Sequence, residues 1–139
     1  MNAMPALHHE RAAALAAARE HLARAGAADL PDFPWTPGRV PHADATLIRF
    51  ALWRAEQGGL DVPADLHAAL QLVDSARAEL DALEAGLLFL ARSEGLTWPQ
   101  IADHLGVRSP QAAQQRFDRT SSRAGGSAPS DDAPTSGRP

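Results

Sequence analysis

Cysteine is absent from the chain, so neither a disulfide frame nor a thiolate metal site can be built, and the absence is compatible with a cytoplasmic setting. Lysine is absent too. All thirteen basic residues are arginine and alanine is abundant, a bias that GC-rich coding produces and that bears on origin more than on mechanism. No apolar run reaches membrane length, and the segment around His8, His9, Glu10 and Arg11 has no apolar centre of the signal-peptide kind. Export is therefore not expected, and the expected location is the cytoplasm with the nucleoid. A glycine-rich phosphate loop, a serine elbow and paired carboxylates beside a plausible pocket are all missing. Adjacent His8 and His9 would point about 100° apart on a helix. His21, His42, His67 and His104 are scattered, with no acid at ligand spacing. These absences predict no metal, no cofactor, no small-molecule substrate and no enzymatic activity.

What is present concentrates at the C-terminal end, in the run GLTWPQIADHLGVRSPQAAQQRFDRT from Gly95 to Thr120. Thr97 is a good N-cap, Trp98 and Pro99 open a first turn, and Ile101, Ala102 and Leu105 share one face. Gly106 stops that helix and Val107 plugs the turn. Ser109 followed by Pro110 is a second N-cap with a first-turn proline. The pattern predicts a helix-turn-helix. A standard short turn would bury Ala112 and Gln115, and a buried Gln115 is costly. One extra turn residue instead puts Ala113 and Phe117 inside and leaves Gln111, Gln114, Gln115, Asp118 and Arg119 outside.

Glutamine pairs bidentately with adenine, and arginine pairs with guanine or holds a phosphate. Gln111, Gln114 and Gln115 are accordingly the expected base readers, and Arg108, Ser109, Arg116 and Arg119 the expected backbone contacts. Charge placement agrees locally. Leu105 to Arg123 sets Arg108, Arg116, Arg119 and Arg123 against Asp118, a net of +3, while Asp61 to Glu94 sets Arg77 and Arg92 against seven acids, a net of −5. The whole chain has a formal net charge of −4, which argues against indiscriminate coating of polyanions. The bland alternative is an ordinary antiparallel helix pair with a polar outer face, because alanine, glutamine and arginine are good helix formers.

The run LDALEAGLLFLARSEGLTWPQIADHLGVRSPQAAQQRF resembles the C-terminal part of small actinobacterial helix-turn-helix proteins of the transcriptional-regulator or nucleoid-associated type. Arg92, Thr97, Trp98, Ile101, Ala102, Leu105, Gly106, Val107, Gln111, Ala112, Ala113, Arg116 and Phe117 carry it, over about a third of the chain; sigma-factor region 4 is a more distant likeness. The resemblance implies double-stranded DNA as partner and neither catalysis nor a cofactor.

The remainder reads as an all-α chain in five parts. Residues 1–25 hold an alanine-rich helix whose large apolar groups are Leu7, Leu15 and Leu22, expected to dock loosely. Residues 26–42 are a proline-rich linker, with Phe33 and Trp35 expected to anchor it across the helical core. Residues 43–94 form a helical core, with Leu47, Ile48, Ala51, Leu52 and Ala55 inward on its first helix. Within it Leu66, Val73, Leu80 and Leu87 recur every seven residues, with Ala69, Ala76, Leu83 and Leu90 three after each. That is an a/d seam with a break expected near Asp74 and Ser75, read either as intramolecular packing or as a homodimer seam. Gly86 lies in the seam and suits close approach of another helix. Residues 95–120 are the helix-turn-helix and 121–139 a disordered tail. The functional expectation is a sequence-selective DNA-binding protein. Its rival is a helical protein-interaction module working through the heptad stripe, with the helix-turn-helix only a scaffold.

Overall fold

The computed structural model describes residues 3–35 and 42–125. Those residues form six α-helices: α1 (Ala3–Arg24), α2 (Asp44–Gln57), α3 (Val62–Gln71), α4 (Val73–Ser93), α5 (Trp98–Leu105) and α6 (Pro110–Gly125), plus a short 3-10 turn at Ala27–Asp29. No strand occurs among them, so the chain is all-α. No helix among them is long and apolar enough to cross a membrane. The fold divides into two compact units between Glu79 and Leu80, inside α4, whereas the sequence pattern places a boundary at 94/95.

In the first unit, α1, α2 and α3 bury Ala18, Leu22, Leu47, Phe50, Ala51, Ala68, Ala69 and Leu72 together with Ala27. Phe50 is in this core while Leu52, expected inward, is exposed. A ring at position 50 fills the space over Gly26, whose positive φ (130°) strains any side chain and where an added Cβ would stand 3.3 Å from the Phe50 ring, so that the ring would have to give slightly. Leu30 packs against the same cluster. Phe33 and Trp35 do not anchor the linker: they stack on each other at 4.9 Å, nearly parallel, and stay exposed. Linker residues 36–41 lie outside the described residues.

The loose docking expected of α1 is also corrected, because two buried carboxylates tie it down. Arg19 donates from Nε and a terminal nitrogen to both oxygens of Asp44 (2.8 and 2.9 Å) and also reaches Ser75 (3.2 Å). The backbone N–H of Asp44 donates in turn to the Glu79 carboxylate, so an acid from α4 caps α2 in place of the apolar Ala43. On α3, Asp65 has His21 Nε2 2.8 Å from one oxygen and accepts from Arg54 Nε at 2.8 Å on the other; Arg54 also donates to the carbonyl of Ala25. Burial pushes each carboxyl up, but hydrogen bonds and neighbouring cations outweigh it and hold both Asp44 and Asp65 below their ordinary values. The hydrogen bond to Asp44 correspondingly raises Arg19.

The long heptad pattern is interrupted at Leu72, two residues before the expected break. With no proline or glycine there, the interruption coincides with the full burial of Leu72 in the first core.

A candidate nucleic-acid interface

The second unit is held by Leu88, Ile101, Ala102 and Ala113, with Ala91, Leu96, Trp98, Leu105, Val107 and Phe117 packed around them. Local chemistry fixes each turn. At the end of α4, Leu96 N–H bonds Ala91 O (3.0 Å) and Gly95 N–H bonds Arg92 O (3.1 Å), a Schellman closure. Arg92 clamps the same turn by donating to Leu96 O (2.8 Å), with its guanidinium 5.1 Å from the centre of the Trp98 ring. α5 opens on a capping box: Thr97 Oγ1 accepts from Gln100 N–H (3.3 Å) while Gln100 Oε1 accepts from Thr97 N–H (2.9 Å). It closes on Gly106 in the left-handed region (φ 69°), with Val107 N–H reaching back to Ala102 O at 3.0 Å. Ser109 then caps α6, its hydroxyl accepting from Ala112 N–H at 3.1 Å.

Ala113 is fully buried where α6 meets α5, and Phe117 lies 5.9 Å from Trp98 in a tilted pair. Burying this side leaves the opposite one to solvent. Gln111, Gln115, Asp118 and Ser122 follow one line along the exposed surface of α6, flanked by Gln114 and Arg119; Arg108 is exposed in the turn before it. Six of the seven residues read from the sequence as DNA contacts thus fall together on α6 or its entry turn in accessible positions: Arg108, Gln111, Gln114, Gln115, Arg119 and the half-buried Ser109.

The seventh, Arg116, is differently placed. Its guanidinium is 2.6 Å from Glu84 of α4, and Arg123 is 2.9 Å from Asp81 one turn away. These residues, with Arg119 and Thr120, line a groove of about 260 Å³. Removing the two paired arginines from the local net of +3 leaves Arg108 and Arg119 against Asp118, a net of +1. The expected phosphate contact at Arg116 is therefore already a brace between α4 and α6. Asp81, Glu84 and Arg123 were not read as a unit from the sequence. The available signal was two acids three apart facing two arginines seven apart, which become partners only once the helices cross. α6 also runs five residues beyond the expected end of order at Thr120. Ser122 bonds back to Asp118 O (2.8 Å) and Arg123 is tied to Asp81, while residues 126–139 of the expected tail lie outside the described residues.

A second candidate, a groove of about 620 Å³ in the first unit, is lined by Glu20, His21, Arg24, Arg54, Asp61 and Asp65 with two alanines. Both oxygens of Asp65 are taken by His21 and Arg54, and no hydroxyl or thiol nucleophile lines the groove, so its chemistry is that of a structural ion cluster. Among the described residues no group of three His, Cys, Asp or Glu could hold a metal ion. No family model, no curated protein and no solved structure matches the chain.

Proposed function

We propose that the chain is a sequence-selective DNA-binding protein, of the transcriptional-regulator or nucleoid-associated kind, in which α5, the turn Gly106 to Ser109 and α6 act as a helix-turn-helix. One observation carries the reading: Gln111, Gln114 and Gln115 form an exposed row on α6 immediately after a four-residue turn. In a major groove that row offers bidentate amides to adenine edges, and Asp118 offers an acceptor to the amino group of cytosine. Arg108 and Arg119 flank the row and supply phosphate contacts; Arg116 and Arg123 hold α6 on α4 so that the row is presented rigidly. No catalytic step belongs to this reading. The rival reading, a helical interaction module, is favoured by one specific observation: exposed leucines along the second half of α4.

A salt titration of binding to random genomic duplex separates the two. Two phosphate-facing arginines per chain predict a log–log slope near −2 per chain, about 0.9 for each contact. Binding that does not weaken with salt, or no binding at low salt by folded protein, overturns the proposal.

A further inference from the structure

The last two heptads of α4 leave Leu80, Leu83, Leu87 and Leu90 exposed to 66, 70, 65 and 60 %. On the same helix, roughly 120° around from their centre, Leu88 is buried against α5 and α6 while Asp81 and Glu84 pair with Arg123 and Arg116. The flank facing α5 and α6 is thus satisfied, and the leucine stripe is a separate face covered by no described element. Four large aliphatic groups in a row are more than the scattered apolar residues ordinary surfaces carry.

We infer that a second copy of this chain covers the stripe, its α4 running antiparallel about a two-fold axis between Leu83 and Leu87. Such an axis sets Leu83 against Leu87 and Leu80 against Leu90, so one stripe serves both sides of an isologous contact. Gly86 lies beside the leucines, and a Cβ there would meet nothing within 4 Å, so the helices can approach closely. Charge selects the direction. Glu94 continues the stripe one heptad beyond Leu87, its N–H still bonded to Leu90 O at 2.9 Å. In a parallel pair two Glu94 carboxylates would face each other. In the antiparallel pair Glu94 falls opposite Ala76, beside Arg77, of the second copy. Arg77 makes only an exposed contact to Asp74 at 3.5 Å among the described residues, which it can exchange at little cost. One helix per side is at the small end of specific interfaces, so association depends on concentration.

The inference is independent of the DNA-binding reading, and its test contains no DNA. Sedimentation equilibrium of the full chain from about 5 to about 500 µM is expected to show the mass rising from one chain towards two. Leu83→Glu and Leu87→Glu, both at exposed positions, are expected to remain at one chain with unchanged helical circular dichroism. Because the chain has no cysteine, Leu80→Cys and Leu90→Cys can report direction. Mixed and oxidised with glutathione disulfide, they are expected to give a covalent pair, while either alone does not, since like positions would lie about 15 Å apart. A single-chain mass throughout, which would leave the stripe to a different protein, overturns the proposal. So does a dimer unaffected by both glutamates, or self-linkage of Leu80→Cys alone.

Discussion

Asp44 and Asp65 show how much of the first unit's order rests on two side chains. Each is about 1 % exposed and carries its charge only because cations from α1 or α2 meet it. Removing one member of such a pair strands the other, so Asp44→Asn and Asp65→Asn are each expected to cost about 3 kcal/mol in urea unfolding at pH 7. Both carboxyls are held low in the folded chain, so on acidification the unfolded chain takes up protons first. The stabilisation is complete above an unfolded value of about 4 and disappears as pH falls through the folded values. A urea midpoint no lower at pH 3 than at pH 7, or lowered as much in the doubly substituted chain, contradicts this. Arginines of one type also part company by position. Arg119→Ala is expected to flatten the salt slope by about 0.9, whereas Arg116→Ala, which leaves Glu84 without its partner, should lower stability by roughly 1 kcal/mol and leave the slope nearly unchanged. None of this was visible in the one-dimensional charge count. A net of +3 treats every arginine as free, and which arginine finds an acid depends on helix crossings that spacing alone does not specify.

Helix ends were far more legible than helix faces. Thr97, Gly106 and Ser109 act within four residues of chain, so capping chemistry names them directly. Faces depend on what arrives from elsewhere: Phe50 displaced Leu52 from the core, and the a/d pattern from Leu66 to Leu90 proved to be two surfaces, with Ala69 buried in the first unit and Leu80 to Leu90 exposed. Two glycines offer a contrast at this scale. Gly106 has a positive φ, so Gly106→Ala should cost about 1 kcal/mol through backbone strain alone, there being open space for the methyl group. Gly86 is in ordinary helical backbone with equal space, and Gly86→Ala should stabilise the dilute protein by up to about 1 kcal/mol. Thermal unfolding of both at low concentration checks the pair; a destabilised Gly86→Ala would mean that this position is packed in the single chain.

For the whole molecule the balance of charge limits what the proposed DNA contacts can be. A chain of net charge −4 whose Arg108 and Arg119 are the two arginines of Leu105 to Arg123 without an ion pair among the described residues has little capacity for sequence-blind attachment to phosphates. If α6 reads DNA, base-edge contacts must supply much of the discrimination, each good bidentate pair being worth about 1–3 kcal/mol. Two copies joined through α4 would add a second reading helix and convert its binding into an intramolecular step. The all-α class and the C-terminal helix pair follow from periodicity and caps; the acid-anchored α1 and the braced α6 follow from pairings between distant segments, which a single sequence does not display. The most direct test of the central claim is selection of bound duplexes from a random-sequence pool by the folded wild-type chain, repeated with Gln111→Ala and Gln114→Ala. The account predicts a recurrent motif containing adenine positions, with preference lost at one or two positions in each variant while binding to non-specific duplex is nearly unchanged. A pool that remains random after repeated rounds, or a motif identical in all three proteins, would contradict it.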